Sequence, residues 1–277
     1  NGCSGRSFRC FVEDGIIMKE ETLSLIWSRR SIRDFERREI EKETVDKLKA
    51  MTLRAPSAGN MEMYSILEVV DPEKKRRLSD ICDGQRMIEK APLVWIFLCD
   101  MDKWERYFKF SRSPEKFDIP LPEAGAGDLL LSFEDAVIAA QNSVIAAEAL
   151  GLGSCYIGDV LENGEKLVEL FSLPRHVIPA SMVIYGYPKS KERYQSTPRP
   201  DINSSIFMKD SYKERTFEDL EEEYKGHGEY NREHKRTPFE GEGTVADEYY
   251  GRKYTSSFMA EMNRSALYYI ERYLKRE

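Results

Sequence analysis

Hydrophobic positions along the first 200 residues recur with two different periods. Apolar residues three or four positions apart predict helices over residues 20–29, 43–53, 72–82, 133–150 and 165–171. Short apolar runs predict strands over residues 64–70, 93–99, 154–157 and 180–187. Helices that alternate with strands in this way indicate a mixed α/β or α+β domain, which we place over residues 18–201.

Three stretches stand out by composition. Residues 93–99 (LVWIFLC) are continuously apolar, which is typical of a central strand covered on both faces. Residues 133–150 form the most apolar helix, and because its alanines lie on several sides we expect burial nearly all round. Residues 101–133 break the pattern with an aromatic-rich insert.

Composition narrows the class of protein. The chain has 277 residues with 42 Lys and Arg against 49 Asp and Glu, and its net charge of −7 argues against a broadly basic surface for nucleic acid. The longest apolar run, residues 92–99, is far shorter than the roughly 18 residues that cross a bilayer. Five cysteines without a C-x-x-C pair favour a reducing compartment. We therefore expect a cytoplasmic protein with neither a nucleic-acid nor a membrane partner.

The two ends of the chain differ from its middle. Residues 1–17 lack the apolar stretch of a signal peptide, and Met18 resembles a natural start, so we expect residues 1–17 to be a leader or an expression-derived segment. Residues 210–253 are crowded with Glu, Lys and Arg, and aromatics interrupt them, which predicts a solvated face or an extended arm within the C-terminal extension 202–277.

The first candidate for chemistry is the run RRSIR at residues 29–33. In an extended chain, side chains two residues apart point the same way, so Arg29, Ser31 and Arg33 can converge. Two guanidinium groups and a hydroxyl suit a phosphate dianion. A solvated basic turn explains the same residues, and the run alone does not choose between the two interpretations.

The second candidate is the loop APSAGN at residues 55–60. Its small residues let the backbone approach a flat ligand, and Asn60 can both donate and accept hydrogen bonds. Alone, this is an ordinary loop.

Together, the two motifs resemble those of the nitroreductase family of FMN-dependent oxidoreductases. Further matches follow in order over residues 20–201, namely the alanine-rich helix, GLGSCYIGD at 151–159, YGYP at 185–188 and Arg199 in TPRPD. The resemblance implies an α+β fold of three layers, α/β/α, around a central mixed and mainly antiparallel sheet. It also implies a domain-swapped homodimer with FMN at the subunit interface.

The resemblance assigns individual residues to the cofactor. Those at the FMN phosphate and ribityl chain are Arg29, Arg30, Ser31, Arg33 and Arg199. Those that the partner subunit supplies are Pro56, Ser57 and Asn60. Those along one edge of the isoalloxazine are Ile157, Gly158 and Asp159. The glycine-rich stretch 151–158 matches neither a Walker A loop nor a dinucleotide loop, which agrees with a mononucleotide.

The chain departs from the family pattern after Asn60. The family often continues Asn-x-Gln-Pro-Trp, whereas this chain has Glu62 in place of the glutamine, where a carboxylate either alters substrate preference or points to solvent. The aromatic insert is either ordinary core or a lid over the flavin, and we favour the lid. The resulting substrate candidates are Glu62, Trp104, Tyr107 and Phe108.

Family members also pass a C-terminal arm over the partner, often with an added edge strand. For this chain the resemblance implies a strand over residues 205–208 and a helix over residues 258–274 within the extension 202–277. The residues expected to pack inward from that helix are Met262, Leu267, Ile270 and Leu274.

The reaction that the resemblance implies is hydride transfer from NADH or NADPH to flavin N5. Ping-pong reduction of a nitroaromatic, quinone or similar acceptor then follows, and no side chain is needed as a conventional acid or base. Two alternatives remain open. One is a related-fold reductive dehalogenase or flavin-modifying enzyme, and the other is a non-catalytic FMN carrier or redox-sensing module.

Histidine and cysteine add little to this assignment. His227 and His234 are seven residues apart, which matches no compact metal site, so we expect no metal. His176, close to Pro174, is expected at the surface. Cys155 is either redox-active or an inert buried thiol.

Overall fold

The computed structural model describes residues 20–190, 197–201, 204, 206–234 and 243–275, so the leader predicted over residues 1–17 lies outside the described residues. The helices are α1 (Glu20–Ser28), α2 (Lys42–Thr52), α3 (Pro72–Ile81), α4 (Arg86–Lys90), α5 (Asp102–Phe110), α6 (Ser113–Phe117), α7 (Ala126–Ala149), α8 (Gly164–Phe171), α9 (Phe217–Glu233), α10 (Val245–Tyr249) and α11 (Ser257–Leu274). The strands are β1 (Tyr64–Glu68), β2 (Leu93–Asp100), β3 (Gly153–Ile157) and β4 (Val177–Gly186). Short 3-10 helices cover Ala58–Asn60 and Gly158–Leu161.

The sheet has the order β1-β2-β4-β3, and all of its neighbouring strands are antiparallel. The one parallel pairing in the described part of the chain is an isolated bridge between Ser31 and Ser154. Every residue of β2 is buried, because the strand has a neighbour on each edge and helices over both faces. The central strand predicted from residues 93–99 is thereby confirmed.

Two helical layers cover the sheet. Side chains alternate between faces along a strand, so Trp95 and Phe97 of β2 face a core beneath α2, α7 and α11, whereas Val94 and Ile96 face a core beneath α3, α4 and α8. The result is the three-layer α/β/α architecture that the family resemblance implies.

Helix α7 is longer than its hydrophobic pattern predicts. It begins seven residues earlier, at Ala126, where the Asp128 carboxylate accepts a hydrogen bond of 2.8 Å from the Gly125 N–H. The burial nearly all round that was expected of residues 133–150 was wrong, because Phe133 and Ile138 are 37% and 41% exposed. Among the described helices it is the one long and apolar enough to cross a bilayer, and its packing against β2 and β4 accounts for that composition.

The C-terminal helix α11 lies against α8. The contact is close, because a Cβ on Gly164 would lie 2.7 Å from the Tyr268 ring. Ser265, Tyr269 and Tyr273 form the buried side of α11. The inward side predicted from Leu267, Ile270 and Leu274 was therefore wrong, since those three are exposed.

The described part of the extension before α11 contains the helices α9 and α10. Thr216 caps the N-terminus of helix α9, since its hydroxyl accepts a hydrogen bond from the Asp219 N–H at 3.2 Å. The strand predicted over residues 205–208 was wrong for its described part, because residues 206–208 form a turn, while residue 205 lies outside the described residues. The aromatic insert likewise contains two helices, α5 and α6.

Candidate active site

The arginine motif runs alongside β3. After α1 ends, the chain becomes extended, and the Ile32 N–H donates to the Ser154 carbonyl at 2.8 Å. Gly153 makes this approach possible, since a Cβ there would lie 2.7 Å from the Ile32 side chain. The buried Ile32 side chain fixes the orientation of residues 29–33, and because side chains alternate along an extended chain, Ser31 and Arg33 point away from that core.

Arg29, Ser31 and Arg33 converge at Cys155 of β3. Burial raises the pKa of the Cys155 thiol, although the two arginines and the serine act in the opposite direction. A buried thiol with a raised pKa is a poor nucleophile, which favours the inert interpretation of Cys155. Arg29 and Arg33 form no ion pair with any carboxylate in the described part of the chain.

Arg30 lies beside the last turns of α7. Arg29 and Arg30 both act on Glu148, whose pKa is raised by burial and lowered by the two guanidinium groups. The side chain of Tyr156 lies on the same side, and burial raises its pKa to about 12. The arginine motif therefore lies at the C-terminal end of α7.

The segment predicted at the flavin edge follows β3 directly. The Ile157 side chain is buried in the core beneath α3, α4 and α8, so only its backbone can face a ligand. Gly158 is exposed, and a Cβ there would meet no atom within 4 Å, which leaves its backbone open to a flat ring. Asp159 lies near Glu162, whose pKa rises to about 7 through burial and the nearby carboxylates.

The loop after α2 has an unusual backbone. Gly59, Asn60 and Glu62 have φ values of 59°, 56° and 47°, in the left-handed region that costs a non-glycine residue about 1 kcal/mol or more. The Ser57 hydroxyl accepts a hydrogen bond of 3.1 Å from the Glu62 N–H and closes the loop on itself.

Asp135 of α7 holds this loop in place. Its carboxylate accepts hydrogen bonds from the Ala58 N–H at 2.8 Å and from the Met63 N–H at 3.1 Å, and the residue is 1% exposed. The sequence analysis missed this residue. Its signal was an acidic residue directly before the apolar run AVIAA of a helix, where a buried and unpaired carboxylate would be costly.

The substrate candidates gather around the same loop. The Trp104 indole donates to the Met61 carbonyl at 2.8 Å, and the Tyr107 and Phe108 rings lie 5.7 Å and 5.4 Å from that of Trp104. Glu62 follows Met61 in the chain and lies close to Lys103, a residue that the sequence analysis missed. The Lys103 Nζ donates to the Tyr64 carbonyl at 2.6 Å, and burial lowers the pKa of this amine.

Two predicted groups are thus far apart within one chain. The arginine motif lies at Glu148 and the loop lies at Asp135, thirteen residues away along α7, which is about 20 Å of helix. Arg199 lies with neither group. Its guanidinium donates to Thr197 and to the Pro198 carbonyl. Burial lowers the pKa of His227 on α9, and the nearby Arg199 charge lowers it further.

The prediction that His176 is at the surface was wrong. Its Nδ1 lies 2.9 Å from a Glu105 oxygen, its ring centroid lies 4.9 Å from that of Tyr273, and it is 6% exposed. The same Glu105 oxygen accepts from the Ala124 N–H at 3.2 Å, so this carboxylate joins both ends of the insert to the start of β4. Within the described residues, no group of three or more His, Cys, Asp or Glu side chains could hold a metal ion.

Comparison with known proteins shows the family and the fold of this chain. The model of the Nitroreductase family matches residues 26–187, which is more than half of the chain. An FMN reductase (NADPH) of Bacillus subtilis is 33% identical over 60% of this chain and 66% of its own length. An FMN reductase [NAD(P)H] of the same organism is 30% identical over 62% of this chain and 67% of its own length. The solved structure of a B. subtilis nitroreductase has a TM-score of 0.70 at 28% identity and covers 88% of this chain and 98% of that one.

This chain therefore belongs to the nitroreductase family. The expected fold class is confirmed, because the solved structure matches nearly its whole length to this chain. The matched segment spans about two thirds of the two reductases.

Proposed function

We propose that this chain is an FMN-dependent oxidoreductase that takes electrons from NADH or NADPH. The observation that carries this proposal is the convergence of Arg29, Ser31 and Arg33 at β3, in a chain that belongs to the nitroreductase family. The two similar proteins of B. subtilis support it, since both are FMN reductases that use a reduced nicotinamide nucleotide.

The residues present fit a flavin mononucleotide. Arg29 and Arg33, which form no ion pair with a described carboxylate, offer two cations to the phosphate, and Ser31 offers a hydroxyl. A hydrogen bond to a charged group contributes about 1.5–3 kcal/mol. Gly158 offers an open backbone N–H to the ring edge, with Asp159 next to it. Bound FMN supplies the two-electron chemistry, while the protein supplies position and electrostatics.

The remaining phosphate ligands are Arg30 and Arg199. Arg30 lies beside Arg29 at Glu148. The described hydrogen bonds of the Arg199 guanidinium go to Thr197 and Pro198, and it forms no ion pair with a described carboxylate, so it can turn to an anion without breaking such a pair.

A second copy of the chain completes the site. The 20 Å between the arginine motif and the loop fits an arrangement in which one copy supplies the phosphate ligands and the other supplies Pro56, Ser57 and Asn60. An exposed apolar surface on α1, on the end of α2 and on α7 is available for this contact. Its residues are Ile26, Trp27, Met51, Leu53, Leu130, Leu131, Phe133 and Ile138.

The electron acceptor is a flat aromatic compound, such as a nitroaromatic, a quinone or a free flavin. Tyr107 is exposed beside Trp104 and Phe108, so α5 presents aromatic surface next to the loop that carries Glu62. Aromatic rings stack on such a surface with about 0.5–1.5 kcal/mol beyond their burial. The cytoplasm suits the three described cysteines, Cys82, Cys99 and Cys155, which are all free thiols.

The test is a visible spectrum of the purified protein before and after NADH or NADPH is added without oxygen. We expect yellow flavin bands that bleach, and that recover when a quinone or nitroaromatic is added. Bands that persist would refute the reductase and favour an FMN carrier or sensor. A colourless protein that takes up no added FMN would refute the cofactor assignment as well.

A further inference from the structure

Glu62 is fixed at both of its backbone polar groups. Its N–H donates to the Ser57 hydroxyl at 3.1 Å, and its carbonyl accepts from the Tyr64 N–H at 2.7 Å. Its φ of 47° lies in the left-handed region, where a non-glycine residue stays only while its surroundings enforce that conformation. The Asp135 carboxylate holds the backbone on either side of it. The backbone therefore sets the direction of the Glu62 side chain.

The Glu62 carboxylate has no bonded partner among the described residues. It is half-buried, yet it forms neither a hydrogen bond nor an ion pair with any of them. A cation does lie close by, on Lys103, but the Lys103 Nζ donates to the Tyr64 carbonyl at 2.6 Å instead. Glu62 thus keeps its carboxylate oxygens available although an ammonium is near.

Negative charge predominates around this point. The carboxylates that act on the Lys103 ammonium are those of Asp100, Glu62 and Asp135, so three acids surround one cation. Asp100 accepts from the Ser65 hydroxyl and from a backbone N–H, and Asp135 accepts from two backbone N–H groups. Of the three acids, Glu62 is therefore the one whose oxygens no described donor takes up.

A buried phenol borders the same carboxylates. Tyr64 is 4% exposed, and its Oη has no hydrogen-bond partner among the described residues. Burial raises the pKa of this phenol, and the charges of Glu62 and Asp135 raise it further. The phenol is neutral, so it does not offset the negative charge, and its unpaired hydroxyl is typical of a place that water or a ligand completes.

Aromatic side chains of α5 lie beside Glu62. The Trp104 indole donates to the carbonyl of Met61, the residue before Glu62, at 2.8 Å. The Tyr107 ring centroid lies 5.7 Å from that of Trp104, and Tyr107 is 62% exposed. A carboxylate next to aromatic rings suits an organic cation, because its charge attracts the cation and the ring quadrupole adds to that attraction.

We propose that Glu62 is a specificity-determining residue that selects electron acceptors with a positive charge near an aromatic ring. The ring of the acceptor lies on the aromatic surface of α5, and its cationic group lies at the Glu62 carboxylate. This inference rests on the proposed function and deepens it by naming the charge of the acceptor. Glutamine, which the family often has at this position, offers the same shape without the charge.

The test compares Glu62→Gln with wild type on three nitrobenzenes that differ in charge. They are para-nitrobenzylamine, a cation at neutral pH, para-nitrobenzyl alcohol, which is neutral, and para-nitrobenzoate, an anion. The flavin-loaded protein is reduced by light without oxygen, and the second-order rate constant of flavin reoxidation by each acceptor is measured. Each nitro group takes two electrons from the flavin and two protons to give a nitroso group and water. The ratio of wild type to variant for one acceptor cancels the intrinsic reactivity of that acceptor.

We expect Glu62→Gln to react about fivefold more slowly with the cation, equally fast with the alcohol and faster with the anion, because a partly exposed ion pair is lost. Added salt should weaken the preference of wild type for the cation. Glu62→Asp keeps the charge, tolerates the left-handed backbone and should retain most of the preference. Glu169→Gln removes an exposed carboxylate from α8, in the opposite helical layer, and is the matched control.

Equal ratios for the three acceptors would overturn the proposal, since a change that ignores charge acts through the loop or the flavin. An equal effect in Glu169→Gln would also overturn it, as would a slower reaction with the anion alone, which would assign charge recognition to Lys103. These results leave the reductase standing, because light replaces the nicotinamide in this assay. A protein that takes up no flavin would instead refute the proposed function and this inference together.

Discussion

Replacement of Asp135 by asparagine tests how the loop at residues 57–63 is held. The Asp135 carboxylate accepts from two backbone N–H groups, those of Ala58 and Met63. Asparagine has the same shape but only one acceptor oxygen, so its NH₂ group would face one of the two donors. The variant loses one charge-assisted hydrogen bond and leaves a buried N–H unpaired, for a combined loss of about 3 kcal/mol in the free energy of unfolding.

The same change should weaken FMN binding. Asn60 and Glu62 have left-handed backbone conformations that persist only while the surrounding structure enforces them. Once one anchor is lost, the loop relaxes and the binding-competent conformation is less populated. A shift of about 1.4 kcal/mol in that equilibrium would raise the Kd for FMN about tenfold.

Two measurements check this reasoning, namely urea unfolding followed by circular dichroism and fluorescence titration of the apoprotein with FMN. Glu134→Gln is the matched control, because Glu134 is the neighbouring carboxylate on α7 but is exposed. If Asp135→Asn is as stable as Glu134→Gln and binds FMN equally well, Asp135 does not hold the loop.

Three further predictions concern the cofactor, a buried carboxyl and the dimer. Arg33→Ala should lower FMN occupancy after dialysis at least tenfold while the chain stays folded, and full occupancy would refute the phosphate assignment. Burial and nearby carboxylates raise the pKa of Glu162 to about 7 in the folded protein, compared with 4.5 for an ordinary glutamate. As the pH rises from about 4.5 to 7, the Glu162 carboxyl therefore ionises in the unfolded chain before it does so in the folded one, and the free energy of unfolding falls over this range. Glu162→Gln should therefore be more stable than wild type by about 2 kcal/mol at pH 8 but equal at pH 4, and an equal difference at both values would contradict this. Ile138→Glu should convert a dimer to a monomer in light scattering, whereas Val70→Glu, at an exposed apolar residue outside the proposed interface, should not.

Local sequence determined much of the fold. The strand over residues 93–99 and the helices α2 and α3 lie within two residues of their predicted bounds, because their hydrophobic periods are strong and proline or capping residues mark their ends. The sequence also predicts that Arg29, Ser31 and Arg33 share one side of the chain, since side chains two residues apart in an extended segment point the same way.

Contacts between distant segments decided the rest. His176 resembles a surface residue in sequence, and only the packing of α5 and α11 against the start of β4 buries it beside Glu105 and Tyr273. The buried side of α11 consists of Ser265, Tyr269 and Tyr273 because α8 approaches closely at Gly164, which no hydrophobic period reveals.

The candidate site divides in the same way. Its residue types follow from the motifs, but their grouping depends on α7, which places the arginine motif and the Asp135-bound loop about 20 Å apart. Asp135 itself has no local partner, since its two hydrogen bonds join residues 77 and 72 positions away in the chain. The sequence by itself thus determines which chemical groups are available, whereas the tertiary structure determines which of them meet, because hydrogen bonds and packing depend on distance in space.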